Sequence, residues 1–180
     1  MLSSPDLSFC QTLNSSAFNQ LGELLEQIIS QSENAALVMT EAVLARIPTP
    51  GNWDIQQFTV VVSSRFSGLL IGLPSYPSTD ANFGDFSINT KLTFEPDEII
   101  KFLENLKDVF ERDSHTYKTI EDYCQIPTVN DATLQGQFSV LLLKQLTAQQ
   151  NKIKVSNSTL EINSCEHVEN ALHKQILQEK

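Results

Sequence analysis

The chain has 180 residues, of which 41% are hydrophobic and 19% are charged; this is the composition of a globular domain that can bury its own core, not of a disordered chain. Its formal net charge is -10, with 12 basic and 22 acidic residues. Such a surface repels nucleic acid and anionic membranes, and no basic cluster offsets it, so we exclude a nucleic-acid-binding protein.

The N-terminus and the cysteines indicate the compartment. The first residues contain neither the basic segment nor the apolar run of a secretory signal, and the longest apolar runs are too short to span a membrane. Cys10, Cys124 and Cys165 are odd in number and widely spaced, which favours a reducing compartment over a disulfide framework. We therefore predict a soluble cytoplasmic protein.

The first predicted helix covers residues 16 to about 33. Apolar residues recur in it at helical spacing, and Ser15 or Ser16 is its predicted N-cap. Residues 35–44 are compatible with a strand or a short buried helix, and a strand is favoured. Residues 47–54 contain two prolines and a glycine, which predicts a loop.

Strands are predicted in the middle of the chain. Two β-rich runs, residues 58–63 and 67–73, are separated by only three residues, and this spacing predicts an antiparallel hairpin. Apolar and polar residues then alternate over residues 86–94. That period of two predicts a strand with one buried face.

Two further helices are predicted after these strands. One begins at Pro96, because a proline in the first turn followed by carboxylates suits the positive end of the helix dipole. The other begins at Asn130 or Asp131; its Gly136 costs about 1 kcal/mol relative to alanine and is a candidate point of close packing. Residues 113–128, between the two helices, are predicted to be irregular.

The C-terminal residues predict a connector. Residues 153–162 are predicted to form a small hairpin or a linker, and a last helix is predicted to begin at Asn163, with Glu166 completing a capping box. No stop signal ends this exit helix, so we expect it to continue into a further domain. The predicted organisation is an N-terminal helical segment (1–34), an α+β sensory-type domain (35–150), and a connector with the exit helix (151–180).

The order of the predicted elements indicates the fold class. A helix, a strand, a hairpin, another strand and further helices suit an α+β fold, with an antiparallel sheet covered on one face by helices. PAS and GAF domains have this architecture.

The sequence contains no arrangement of side chains that predicts a catalytic site. The chain lacks the glycine spacing of a P-loop and of a serine nucleophile elbow. His167 and His173 are six residues apart and point to different sides of the exit helix, so no metal site is predicted. Cys124 has no adjacent basic residue, which favours an inert or half-buried thiol over a chromophore attachment site or redox sensor.

Three loop residues border the predicted sheet. Trp53, Arg65 and Phe66 either line a ligand cleft or pack on the core, and packing is favoured because loop aromatic side chains usually pack in this way.

The C-terminal segment carries a family resemblance. Residues 164–180, SCEHVENALHKQILQEK, resemble the connector that runs into a GAF domain in cyanobacterial multidomain sensor histidine kinases and diguanylate cyclases. Three upstream segments are similar to the N-terminal domain that precedes this connector: residues 35–44, residues 58–63 with 66–70, and residues 92–96. The resemblance implies an input domain of such a protein and supplies no functional residues. The family's bilin-binding relatives typically attach their chromophore through a Cys-His pair or a comparable cysteine context, and Cys165-Glu166-His167 departs from that pattern.

The sequence therefore predicts a non-catalytic sensory or input and dimerisation domain of a signal-transduction protein, in the first place a sensor histidine kinase. It passes a conformational signal through its C-terminal helix to downstream GAF or kinase domains. No cofactor, metal or membrane insertion is expected, and a small-molecule ligand is left open. The alternative is a ligand-free protein–protein interaction or dimerisation module. A cavity among the strands favours sensing, whereas a sheet packed solid favours the alternative.

A homodimer is expected, with the first helix and the exit helix at its contact. Apolar residues of the first helix repeat with the spacing of a coiled-coil seam, and the exit helix carries a narrow apolar stripe. The alternative is that both helices pack on the sheet of one monomer. The predicted contact residues are Phe18, Leu21, Leu25, Ile28, Val168, Leu172 and Ile176.

Overall fold

The computed structural model describes residues 9–32, 35–45, 47–48, 53, 56–75, 87–145 and 147. The chain divides into two compact units, residues 1–139 and residues 140–180. The predicted connector and exit helix, with Val168, Leu172 and Ile176, lie outside the described residues.

Five strands form one antiparallel sheet. They are β1 (Phe9–Asn14), β2 (Leu37–Thr40), β3 (Gln57–Val62), β4 (Ser67–Ser75) and β5 (Ser87–Thr93), in the order β1-β5-β4-β3-β2. The α+β class with an antiparallel sheet is therefore confirmed. Strand β1 was not predicted, and it places the N-terminal segment within the sheet, not in a helical segment apart from it.

The predicted hairpin is β3 and β4, and a serine closes its turn. The Ser63 hydroxyl donates to the carbonyl oxygen of Phe66 at 2.9 Å and accepts from the Phe66 N–H at 3.0 Å. These bonds satisfy the backbone of the short loop while the strands pair from Val62 opposite Ser67 onward.

The strand predicted by alternation is β5, in which Ile88 is buried and Asn89 is exposed.

Helix α1 (Ser15–Ser32) connects the two edges of the sheet, and its presence is confirmed. The predicted cap is wrong. The side-chain oxygen of Asn14 accepts from the Ala17 N–H at 2.7 Å, which makes Asn14 the N-cap in place of Ser15 or Ser16. The last residue of β1 thus starts the helix that follows it directly.

Residues 35–44 combine the two predicted alternatives. Strand β2 occupies Leu37–Thr40, and a 3-10 helix follows at Glu41–Leu44. The Glu41 carboxylate accepts from the Phe58 N–H at 3.3 Å. It supplies an acceptor to β3 close to the point where β2 ends.

Helices cover both faces of the sheet, so the prediction of one covered face is wrong. Successive side chains of a strand point to opposite faces. A methyl group on Gly22 of α1 would meet Thr59 of β3, whereas Phe58 and Val60 belong to the core that α2 (Pro96–Lys107) and α3 (His115–Tyr123) complete.

The predicted irregular stretch after α2 is partly wrong, because α3 lies within it. Ser114 is the N-cap of this helix, and its hydroxyl oxygen accepts from the Tyr117 N–H at 3.1 Å. Ile120 is the buried residue of α3, and Tyr117 and Tyr123 are partly buried against the same core. These contacts have helical spacing, which the prediction of an irregular stretch overlooked. A further helix, α4, covers residues 132–145 and confirms the helix predicted to begin at Asn130 or Asp131; Leu134 and Phe138 are buried in it.

The sheet is closely packed under its helices. Glycines at 68 and 72 of β4 let the α1 layer approach, since a Cβ at Gly72 would lie 2.6 Å from Phe18 and from Ile88. On the opposite face Phe58 packs against Phe102, with ring centroids 5.1 Å apart. Each buried aromatic side chain of this kind contributes about 1.5–3 kcal/mol.

Candidate functional site

One part of the sheet lacks a helix over it among the described residues. Strands β1, β5 and β4 there present two rows of side chains on the face that carries α2. In register, Cys10 lies beside Lys91 and Lys91 beside Ile71, while Thr12 lies beside Asn89 and Asn89 beside Leu73. We call this surface the open face, defined by Cys10, Thr12, Ile71, Leu73, Asn89 and Lys91.

The open face is concave and mixed in polarity. Its residues, with Gln11 and Thr90, line a shallow depression of about 490 Å³ that is largely open to solvent. Leu73 is 42% exposed, which is unusual for a leucine in the middle of a sheet. The Thr12 hydroxyl donates to the side-chain oxygen of Asn89 at 2.9 Å. Apolar side chains beside a hydroxyl, an amide and an ammonium suit the binding of an amphipathic partner or ligand.

Lys91 links the open face to helix α2. Its ammonium lies 2.5 Å from the Glu98 carboxylate in the first turn of that helix. Both side chains are about two-fifths exposed, at 39% and 40%, so the pair contributes little to stability, about 0–1 kcal/mol. A ligand that draws Lys91 away therefore meets little energetic resistance.

A second feature holds the start of α4 on the β3–β4 hairpin. The backbone N–H of Asp131 donates to the carbonyl oxygen of Arg65 at 2.8 Å, and the Arg65 guanidinium donates to the Asp131 carboxylate at 3.0 Å. The Asn130 side-chain amide accepts from the Ser67 N–H at 2.8 Å and donates to the Ser67 carbonyl at 2.9 Å. We call Arg65, Ser67, Asn130 and Asp131 the helix clamp.

The electrostatics of the clamp depend on Asp131. The Arg65 guanidinium holds the pKa of Asp131 below its ordinary value, and the backbone N–H groups of Leu134 and Thr133 add to this effect. The same carboxylate thus binds Arg65 and caps the first turn of α4, at 3.2 Å from the Leu134 nitrogen and 2.8 Å from that of Thr133.

Of the three loop residues named from the sequence, the two aromatic ones pack on the core as favoured, whereas the Arg65 side chain is 52% exposed and does not. Trp53 lies against Phe102, with ring centroids 5.7 Å apart. Phe66 is 1% exposed and lies 5.8 Å from Phe94, centroid to centroid. Arg65 belongs to the clamp. None of the three lines the open face.

The four dimer contacts predicted on the first helix lie in the core of one copy. Their exposed fractions are small, at 4% for Phe18, 8% for Leu21, 0% for Leu25 and 1% for Ile28. For α1 the structure therefore agrees with packing on the monomer's own sheet. A second copy has no access to these side chains unless α1 leaves the sheet.

Cys124 is buried, at 4% exposure, and burial raises the pKa of its thiol; nearby Lys107 lowers that pKa by less. It belongs to the core cluster beneath α2 and α3. This location agrees with the inert or half-buried thiol favoured from the sequence.

Sequence reasoning missed most of the open face. Cys10 and Thr12 belong to a strand that it did not predict, and the pairing partner of that strand is far away in the chain. The exposed positions of β5 were available as the polar half of the alternating run in residues 86–94. Nothing in the sequence shows that a helix fails to cover them.

Membrane-spanning helices and metal-ligand clusters are both absent from the described residues. None of the helices they contain is long and apolar enough to cross a membrane. The same residues include no group of three or more His, Cys, Asp or Glu side chains that suits a metal ion. Comparisons with protein-family models, curated proteins and solved structures gave no match.

Proposed function

We propose that this chain is a non-catalytic sensory or input domain of a signal-transduction protein, with a fold of the PAS or GAF kind. The helix clamp is the observation that carries the proposal. It joins the sheet to the helix that leads toward the C-terminus through bonds from both backbone and side chains. A change in the hairpin is therefore transmitted to the start of α4.

The open face is the proposed input surface. Lys91 belongs both to this surface and to the ion pair with Glu98 of α2. Lys91 can be paired with Glu98 or drawn away from it. A ligand or partner that binds one of these two arrangements more tightly shifts the position of α2, and the difference between its two affinities limits the size of that shift.

The output belongs to domains of the same chain in this proposal. The sequence resemblance of residues 164–180 supports a sensor histidine kinase or a diguanylate cyclase with an intervening GAF domain. A cytoplasmic location and a homodimer are also part of the proposal. The described cysteines Cys10 and Cys124 are both free, which fits a reducing compartment.

Close packing under the helices supports the second candidate, a ligand-free interaction or dimerisation module. Phe58, Val60 and Leu70 of the central strands are 0% exposed, and the glycines of β4 are tightly covered. Input through an internal cavity at this point would require repacking of these residues. The concave open face instead suits a ligand or a partner that binds at the surface.

The test uses the native protein that carries this chain. We expect Asn130→Ala to change its autokinase or cyclase output by at least about fivefold, since coupling energies of 1–3 kcal/mol correspond to factors of about 5 to 150. Gln137→Ala, an exposed position on the same helix, is the matched control and leaves the output unchanged. A folded Asn130→Ala protein with unchanged output, or a native protein without a signalling output domain, would contradict the proposal.

A further inference from the structure

Strand β1 is an edge strand with no sequence device that blocks pairing. No described strand lies beyond it in the sheet. Its six residues, FCQTLN, include no charged residue, proline or glycine. Edge strands usually carry charges, proline or bulges, because their free N–H and C=O groups otherwise pair with another strand.

The opposite edge is protected, and the contrast is informative. Strand β2 has four residues and turns at once into the 3-10 helix Glu41–Leu44. The Glu41 carboxylate then accepts the Phe58 N–H of the adjacent strand. A short edge that ends in a helical turn offers little for a further strand to pair with.

Strand β1 and the residues that follow it directly are uncharged in a strongly acidic chain. No residue from Leu7 to Gly22 carries a formal charge, whereas the chain as a whole carries -10. Cys10, Gln11 and Thr12 are exposed on this edge. Two copies of the chain can approach here without bringing carboxylates face to face, a juxtaposition that is unfavourable between paired strands.

We propose that β1 pairs antiparallel with β1 of a second copy, so that one sheet continues through both. This inference rests on the proposed function in one respect: the β1 pairing would be the dimer contact of the proposed input domain. Antiparallel pairing of identical strands is self-complementary about a two-fold axis, which closes the assembly at two copies. The exposed apolar seam that a coiled-coil contact requires is absent from α1, since Phe18, Leu21, Leu25 and Ile28 are buried.

The pairing has a consequence for the open face. A two-fold axis between antiparallel strands is perpendicular to the sheet, so the same face of each copy lies on the same side. The Cys10 and Thr12 side chains of both copies then border one continuous surface. The input surface of the proposed function is in this way shared between two protomers.

The first experiment measures self-association by sedimentation equilibrium of the 180-residue chain. We expect a dimer whose dissociation constant rises at least about tenfold in Gln11→Lys and in Gln11→Glu, because each places like charges close to the two-fold axis. An equimolar mixture of the two variants restores the dimer through opposite charges. Asn19→Lys and Asn19→Glu, at an exposed position of α1, are the controls, and circular dichroism verifies folding of every variant.

The second experiment locates the contact. Spin labels on Cys10, in a chain with Cys124→Ser and Cys165→Ser, lie within about 20 Å of each other if β1 strands pair, since six residues extend about 20 Å. A monomer at high micromolar concentration overturns the inference, and so does a dimer that is insensitive to the Gln11 variants and has a longer label distance. The proposed function fails separately, by an unchanged output in Asn130→Ala.

Discussion

The Asn130 side-chain amide pairs with Ser67 as a neighbouring strand would, accepting from its N–H at 2.8 Å and donating to its carbonyl oxygen at 2.9 Å. Ser67 is the first residue of β4 and lies 63 positions earlier in the chain. The Asn130 amide nitrogen also donates to the Gln135 side-chain oxygen at 3.0 Å. One asparagine thus joins the sheet and α4, because an amide offers a donor and an acceptor side by side.

Replacement of Asn130 is expected to destabilise the chain. Asn130→Ala leaves the part-buried backbone groups of Ser67 unsatisfied, and we expect a loss of about 1–3 kcal/mol in the free energy of unfolding. Urea denaturation measures it. Asn89→Ala removes the exposed bond to Thr12 and should cost less than about 0.5 kcal/mol. Equal effects of the two substitutions would contradict the role given to Asn130.

Asp131 is expected to make the clamp sensitive to acid. Its folded pKa is depressed below the ordinary 3.8, first by Arg65 and then by backbone N–H groups. The stabilisation is therefore present above the unfolded pKa and is lost as pH falls through the lower, folded pKa. We expect the stability advantage of the wild type over Asp131→Asn to shrink below about pH 4. Asparagine still caps a helix, so the comparison isolates the charge.

Denaturation of the two proteins between about pH 3 and pH 7 gives this advantage directly. An advantage that stays constant over the whole range would show that the Asp131 charge contributes nothing through its depressed pKa. Arg65→Gln is a second check, because it removes the largest cause of the depression and should reduce the acid sensitivity in the same way.

Gly72 is expected to tolerate no side chain. A Cβ there would lie 2.6 Å from Phe18 and from Ile88, both buried between α1 and the sheet. We expect Gly72→Ala to lower the free energy of unfolding by about 1–3 kcal/mol, the usual cost of overpacking a core. Thermal or chemical unfolding measures the loss.

Gly136 is the matched control, and there the sequence expectation of close packing is wrong. Apart from its chain neighbours and the backbone of its own helix, no atom of the described residues lies within 4 Å of a Cβ at this position. Gly136→Ala should therefore stabilise the chain by about 0.5–1 kcal/mol through helix propensity alone. If both glycine substitutions change stability in the same direction, this account of the two sites fails.

The elements predicted from the sequence are those with a regular apolar periodicity and those whose strands pair with a neighbour close in the chain. The hairpin of β3 and β4 is local, and β5 alternates because it is covered on one face and exposed at Asn89 on the other. Strand β1 escapes prediction because its pairing, Phe9 opposite Leu92, joins distant parts of the chain. The width of the apolar stripe on α1 does not reveal whether a sheet or a second helix covers it.

The candidate site is less predictable than the fold. Asn130 and Asp131 carry a local signal for a helix start, and α4 begins directly after them. Their partners Arg65 and Ser67 carry none, because a loop residue and a strand residue acquire these bonds only when tertiary structure brings them together. Among the described residues, α2 covers part of this face of the sheet and leaves the open face uncovered, a property of helix placement that side-chain periodicity does not encode.

The two described cysteines are expected to differ widely in reactivity, in a chain with Cys165→Ser. Cys10 is exposed on β1, whereas Cys124 is 4% exposed and burial raises the pKa of its thiol. Lys107 favours the thiolate of Cys124, but its effect is smaller than that of burial. The thiolate is the reacting species, and the buried Cys124 thiol is protonated and inaccessible to reagent. Cys124 therefore reacts only when the core opens locally.

With an aromatic disulfide reagent at about pH 8, where a free thiol is partly ionised, we expect one fast phase from Cys10. A second phase, at least about a hundredfold slower, should come from Cys124 and accelerate with urea as the core opens. Cys10→Ser removes the fast phase alone. Fast labelling of Cys124 in the folded Cys10→Ser protein would mean that the contact between α2 and α3 opens readily, and that this part of the core is not closed as the structure has it.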